Sequence, residues 1–523
     1  MHQPDVHRRY GFWRHLPRPG APGWVVLGAT VIGFVLRVYR LGAQSLWIDE
    51  VATYLSSAGS AWWVLTQRQY DGSVPPLYFL VVNAVLHVGD SEAALRAVSA
   101  VAGAASIPLL YAVARRWVGD ARATLAAAFL ALSPFHVWYS QEARAYALLV
   151  LLGLATVRAA QVGAERPDVW QPQAALAVLL VASFYCHSGG LALLPVSAVL
   201  VALETPRVQW TRVAPRWALV FAGAGLAILP GYLRYFTIDR YPGNHTDGSF
   251  NPAALGFTLW TFATGFSLGP SLAEWHAAPA GRVARAAAPL VVPVLLAAAA
   301  LLALGVRSTW RCSPRALLAL TTYAGVPVAM AVAGSIWARY PYNVRYVVLA
   351  FPAFVVLLAA GVAALRRAWA SGVAATAACT LSAVSLQHYY SDARYAREDN
   401  RGASAFIARV GNAGRDPIVV SAAYTAPVLV YYSRGRSLRV LPFATDALGS
   451  DTAAMAAAAA RLVGAAPRLS LFLSRTYDRD DARVLRRYLN ACFVPDAAYH
   501  GPGVEVIHYV RGAAQPVGCV TSP

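Results

Sequence analysis

Residues 24–50 read WVVLGATVIGFVLRVYRLGAQSLWIDE, and this stretch decides the fold. Trp24–Val38 is an apolar run, and two adjacent carboxylates, Asp49 and Glu50, follow it between Trp47 and Tyr54. A carboxylate dragged into lipid costs several kcal/mol. The acidic pair therefore marks the place where the chain leaves a bilayer for water. A wet carboxylate pair among aromatic residues at a bundle mouth suits a general base, or a metal ligand, that faces a lipid-borne substrate. The plainer alternative is a solvated turn anchored at the interface by Trp47.

The rest of the chain extends that reading. Of 523 residues 58% are hydrophobic and 13% charged, and the mean hydropathy is +0.47. Soluble domains rarely combine such values. Apolar segments at 24–40, 92–114, 119–135, 147–163, 173–188, 189–204, 217–233, 286–306, 316–336, 344–365 and 370–387 predict an α-helical polytopic membrane protein with about 11 spanning helices. Trp24–Val38 lacks a small-residue cleavage site after it, which argues against a removable signal peptide. The formal charge is +19, all of it carried by arginine, since the chain has no lysine. Such a balance would suggest nucleic acid in a soluble protein. Here Arg115-Arg116, Arg207 to Arg216, Arg307 to Arg315 and Arg366-Arg367 lie in short inter-helix loops, the pattern of the positive-inside rule. With residues 1–23 as a cytoplasmic tail, every one of those loops falls inside, and an odd span count puts the carboxyl terminus outside. Val74–Val88 would invert the later loops if it spanned, so it is expected to lie at the outer interface.

Residues 24–390 thus read as the transmembrane catalytic domain. Within it, 234–285 is a long polar connection containing Tyr241-Pro242-Gly243-Asn244-His245, expected to be a lid or irregular. Residues 391–523 turn soluble. Ile418–Ser421, Leu469–Leu473 and Val504–Val510 read as strands, and Ala403–Val410, Ala453–Val463 and Asp480–Leu489 as helices. Their alternation predicts a small extracytoplasmic α/β domain. Of five cysteines, Cys492 and Cys519 fall in this tail and are expected to form a disulfide in an oxidising compartment. Cys186, Cys312 and Cys379 have no metal-ligand spacing.

Four further features share the outer face on this topology. Pro75-Pro76-Leu77-Tyr78 follows the acidic loop. Ser133-Pro134-Phe135-His136-Val137-Trp138-Tyr139-Ser140-Gln141-Glu142-Ala143-Arg144-Ala145-Tyr146 brings a second carboxylate and an anion contact, Glu142 and Arg144, among aromatics. An ordinary surface ion pair there would be worth little. His187 follows Phe184-Tyr185-Cys186 as either a helix cap or a site residue. Arg339-Tyr340-Pro341-Tyr342-Asn343-Val344-Arg345-Tyr346 is basic on the side where arginine is disfavoured. Phosphate binding supplies a reason for it, because the guanidinium fork matches phosphate oxygens. Lipid headgroup anchoring supplies another.

Taken in order, Asp-Glu after the first helix, Pro-Pro-Leu-Tyr, Ser-Pro…Tyr-Ser-Gln-Glu-Ala-Arg-Ala-Tyr and a late Arg-Tyr before an apolar helix resemble the GT-C-fold membrane glycosyltransferases. The bacterial relatives of protein O-mannosyltransferases and of the lipid A aminoarabinose transferase are the nearest in pattern. Glu398-Asp399-Asn400-Arg401-Gly402-Ala403, which opens the tail, resembles the same branch. The resemblance implies a polyprenyl-phosphate-sugar-dependent, inverting glycosyltransferase of the cell membrane. It would transfer mannosyl or arabinosyl groups to a glycan, lipid or protein acceptor in cell-envelope synthesis, with no nucleic-acid partner. On that reading Asp49 takes the proton of the acceptor hydroxyl. Arg345, with Arg339, neutralises the departing phosphate. Arg144, Tyr146, His187, Tyr346 and Tyr78 line the substrate. Glu50 and Glu142 orient Asp49 or the acceptor, or hold a divalent metal such as Mg or Mn. Many relatives carry a further acidic element in the second outer loop, where this chain has Ala145-Tyr146 after Arg144 and only Glu142 as the carboxylate. The rival reading is a membrane transporter or lipid flippase without transferase activity, which calls for polar sites near the bilayer midplane and usually an internal repeat.

Overall fold

The computed structural model describes residues 21–66, 75–235, 250–338, 341–411, 414–433, 436–443, 451–474 and 480–512. Each of the eleven expected apolar segments contains a helix. They are Ala21–Val38, Glu92–Val118, Asp120–Leu132, Tyr146–Glu165, Trp170–Cys186, Leu193–Glu204, Trp210–Leu233, Ala280–Cys312, Pro314–Trp337, Phe351–Ala363 and Ala368–Ser391. Among the described residues seven helices are long and apolar enough to cross a membrane, counting Val344–Ala363 as one and taking Arg207–Leu233 as another. Leu77–Leu86 is a ten-residue helix.

The chain divides into two compact units. One comprises Met1–Leu41, Ser56–Leu268 and Pro289–Leu386; the other comprises Gly42–Leu55, Gly269–Ala288 and Gln387–Pro523. The acidic loop and part of the 234–285 connection group with the tail, because their hydrogen bonds lead there.

In the helical unit, Glu92–Val118 and Tyr146–Glu165 pack against each other, and the first also takes Ala21–Val38 and Asp120–Leu132 on its flanks. Glu92–Val118 buries Ser99, Ala100, Gly103, Ala104 and Ser106. Small residues let backbones approach closely where lipid gives no hydrophobic drive between helices. The same device joins Ala280–Cys312 to Phe351–Ala363: a Cβ at Gly305 would overlap the Leu357 carbonyl, and one at Gly361 would overlap the Leu301 carbonyl. In contrast, only about a tenth of the apolar window of Gly281–Cys312, and of Ala368–Ser391, is buried in the protein. Such surfaces suit hydrocarbon rather than water. The strongly exposed tryptophans among the described helices, Trp24, Trp62, Trp170, Trp310, Trp337 and Trp369, all sit within about a turn of a helix end, the position of membrane-interface belts. The protein is a multi-pass membrane protein.

The 234–285 connection is not all irregular. Ala253–Thr264 is a helix that buries Trp260 and Phe262, an apolar run that its polar flanks disguise. Tyr241–His245 lie outside the described residues.

The second unit holds a five-stranded sheet: β1 Ile418–Val420, β2 Val440–Pro442, β3 Arg468–Ser474, β4 Phe493–Gly501 and β5 Val504–Arg511, in the order β2-β1-β3-β5-β4. β1 pairs parallel with β2 and β3, while β5 runs antiparallel to β3 and β4. Alternate residues face opposite sides of a strand. Val419, Leu469, Leu471 and Leu473 therefore meet helices Thr452–Val463 and Asp480–Cys492, while Ile418, Val420 and Phe472 meet Asn400–Val410 and Leu429. Burial on both faces explains the near-continuous apolar strands in the sequence. Cys492 is disulfide-bonded, and Cys519 lies outside the described residues.

Candidate active site

The candidate site residues fall into two groups, one in each unit. In the helical unit the site is built on the turn between Pro134–Ser140 and Tyr146–Glu165. Ser133 caps the short helix, its Oγ accepting from His136 N at 3.2 Å, and Pro134 follows at the first helical position. Gln141 Nε2 then donates to the carbonyls of Leu36, Arg37 and Tyr39 at 3.2, 3.0 and 2.8 Å, closing the end of the first helix. Arg37 is fully buried. Its guanidinium donates to the carbonyls of Gly33, Leu130 and Ala131 and to Ser140 Oγ, and it lies 2.8 Å from His136 Nδ1. Carbonyls at a helix end are a favourable place for a cation. These contacts fix where Glu142 and Arg144 emerge.

Arg144 N donates to the Glu142 carbonyl at 2.7 Å, and Ser99 Oγ donates to the Arg144 carbonyl at 3.0 Å. The Tyr78 hydroxyl lies 2.9 Å from Ser99 Oγ. Pro-Pro-Leu-Tyr and the Gln-Glu-Ala-Arg turn, distant in sequence, are thus joined through one buried serine. Tyr146 stacks edge-on to Tyr139, with centroids 5.1 Å apart, and tilts over His187 at 5.5 Å. His187 Nδ1 accepts from Gly189 N at 2.9 Å, which leaves the proton of the neutral ring on Nε2. Asn343 caps the short 3₁₀ helix Val344–Ala350 by accepting from Arg345 N at 3.1 Å, and the Arg345 guanidinium lies 5.4 Å from the Tyr346 ring. The charges of Arg144 and Arg345 both act on Tyr146 and on His187, and Glu142 and Arg345 both act on Tyr139. Glu142, Arg144, Tyr146, His187, Arg345, Tyr346 and Tyr78 therefore belong to one neighbourhood. Arg339 lies outside the described residues.

In the second unit, Asp49 and Glu50 open the helix Ile48–Ser57. The two carboxylates have different surroundings. Glu50 is fully buried, forms an ion pair with Arg397 at 2.8 Å and accepts from Trp47 N at 3.3 Å; Asp49 is half-buried. The segment Arg397–Gly402 wraps the approach to this helix. Arg397 N donates to Gln44 Oε1, Ser45 Oγ to Asp399 Oδ1 at 2.9 Å, Asn400 Nδ2 to the Leu46 carbonyl at 3.0 Å and Arg401 Nη2 to the Gly42 carbonyl at 2.9 Å. Leu46 N donates to the Tyr432 hydroxyl at 2.7 Å, and Tyr54 meets Tyr431 edge-on. Burial alone would raise the Asp399 carboxyl. Hydrogen bonds from Tyr499 at 2.6 Å, Gly402 N and Ser45 outweigh it and hold the group below its usual range. The two motifs that the sequence sets far apart, Leu46–Glu50 and Glu398–Ala403, are one structure.

Sequence reasoning missed Arg37, Ser99, Tyr139, Gln141 and Arg397. Only Arg37 offered a clear signal, as an arginine inside an apolar run. Among the described residues no three His, Cys, Asp or Glu side chains come together as a metal site.

Residues 73–232 match the dolichyl-phosphate-mannose-protein mannosyltransferase family. The fold is similar to that of ArnT from Cupriavidus metallidurans in the apo state, with a TM-score of 0.61 and 13% identity over 96% of this chain and 100% of that chain. ArnT bound to undecaprenyl phosphate gives 0.57 and 15%, with the same coverage. The archaeal oligosaccharyltransferase AglB from Archaeoglobus fulgidus, in complex with an inhibitory peptide and a dolichol-phosphate, gives 0.51 and 11% over 95% of this chain and 75% of that chain. No protein of curated function matches in sequence. The chain shares its fold with ArnT and AglB, and its stretch 73–232 is similar to the mannosyltransferase family.

Proposed function

We propose that this protein transfers a sugar from a polyprenyl-phosphate-linked donor to an acceptor hydroxyl on the outer face of the cytoplasmic membrane. The observation that carries the reading is that Arg144, in the stretch similar to the mannosyltransferase family, and Arg345, from beyond it, both act electrostatically on Tyr146 and His187. Two forked cations acting on the same side chains are chemistry for a phosphate. ArnT, whose fold this chain shares, has been seen with undecaprenyl phosphate, which supports a lipid donor. No nucleotide sugar is available outside the cytoplasmic membrane, so an outer-face transferase needs a donor carried by lipid.

Asp49 accepts the acceptor's proton as the hydroxyl oxygen forms its bond to the anomeric carbon. The bond from that carbon to the phosphate oxygen breaks, and its electron pair leaves with the polyprenyl phosphate. Arg345, with Arg144 and Arg339, neutralises the charge that develops there. One displacement inverts the anomeric centre. Glu142, Tyr78 and His187 orient the sugar. Mannose and arabinose are the sugars favoured by the resemblance, and no step is assigned to a divalent ion. The test is incubation of the purified protein with a panel of undecaprenyl-phosphate sugars, followed by mass spectrometry. One of them should be consumed with release of undecaprenyl phosphate and an inverted product. Movement of a donor across a proteoliposome membrane without its consumption would favour a flippase.

The amino terminus is inside and the tail outside. The arginine-rich loops support this orientation, and so does the disulfide of Cys492, which suits an oxidising compartment. An impermeant thiol reagent should reach cysteines introduced in 391–411 in intact cells. Labelling of cysteines introduced beside Arg115 or Arg366 from outside would overturn the map.

A further inference from the structure

We infer that Arg397 is a positioning residue for the base: through Glu50 it fixes the first turn of the helix that carries Asp49. The inference rests on the reading of Asp49 as the base. Ile48–Ser57 is only ten residues long, and an isolated helix of that length is marginal. Its first turn needs outside support, and the support is unusually specific. The Glu50 carboxylate reaches back to Trp47 N, half of a capping box, and is itself fully buried against Arg397, whose side chain is 5% exposed. A buried ion pair of this kind contributes little net stability beside an apolar pair of equal volume, yet it fixes geometry. Asn400 and Tyr432 hold the carbonyl and the N–H of Leu46, one on each side of the same peptide approach. Neighbouring residues project about 100° apart around a helix, so a fixed Glu50 fixes the direction of Asp49. The two acids therefore divide the work: one is buried to hold the turn, and one stays accessible to react.

Full-length variants reconstituted in detergent should separate this role from simple folding. Arg397→Met is expected to lower kcat by about 10²-fold, the scale on which an ångström of misplacement slows a reaction. Binding of undecaprenyl phosphate should stay within about threefold, because Arg397 is not assigned to the donor. Arg397→Lys, which keeps the charge without the fork, should recover part of kcat. The deciding variant is Glu50→Gln/Arg397→Met, which removes both buried charges. Its unfolding temperature should return close to that of the parent while kcat stays low. If kcat recovers along with stability, the pair is only structural and the inference fails. Full activity of Arg397→Met beside an inactive Asp49→Asn also overturns it and leaves the base assignment standing. Retained turnover in Asp49→Asn overturns the base assignment, and this inference falls with it.

Discussion

Asp49→Asn is expected to lower turnover by about 10²–10⁴-fold, the usual contribution of a positioned general base, with the protein still folded. The amide has the volume of the carboxylate and cannot take the acceptor's proton. Asp49 is half-buried at the start of a helix, where an acid gains only about 0.3–1 kcal/mol from the helix dipole. Losing that charge leaves the buried Glu50–Arg397 pair intact. The neighbouring Glu50→Gln has a different signature. It strands Arg397 in the interior, where breaking a buried pair costs about 3–5 kcal/mol, so stability falls first and rate follows. Donor consumption measured beside a thermal melt tells the two apart. Near-normal turnover in folded Asp49→Asn would remove this residue from the chemistry.

Arg345→Ala should lower kcat/KM for the lipid-linked donor by about 10²–10³-fold, the cost of deleting one preorganised contact to developing charge. Its backbone is set by the Asn343 cap and its guanidinium lies beside the Tyr346 ring. The planar group is thus presented rather than free to search. Arg345→Lys keeps a point charge and loses the fork, so it should recover only a fraction. Unchanged donor affinity in Arg345→Ala would move the phosphate to Arg339 or Arg144.

The sequence announced its helices because a bilayer demands long apolar runs, and lipid leaves few other ways to satisfy a backbone. The five-stranded sheet was legible where strands are buried on both faces, as in Ile418–Val420 and Arg468–Ser474. It was not legible in β2 or β4, which are short or largely exposed. Within the site, residue types were readable and partnerships were not. Asp49 and Glu50 look alike in sequence. What divides them is Arg397, which arrives only after the last membrane helix, and no periodicity links positions so far apart. The tie from Tyr78 through Ser99 to the Arg144 carbonyl was hidden for the same reason: its middle member is a serine in an alanine-rich helix. Ala253–Thr264 hid inside a connection that appeared polar as a whole.

The clasp between Ser45 and Asp399 spans 354 residues of chain. A ribosome adding about 5–20 residues per second needs roughly 20–70 s to cover that interval. For all that time the acidic loop exists and its companions do not. A nascent chain therefore acquires its lipid-embedded helices well before its acidic pair is held in place. The hold on Asp49 and Glu50 comes last in biogenesis, with the final quarter of the polypeptide, so an incompletely translated chain would have its apolar helices without a fixed acidic turn.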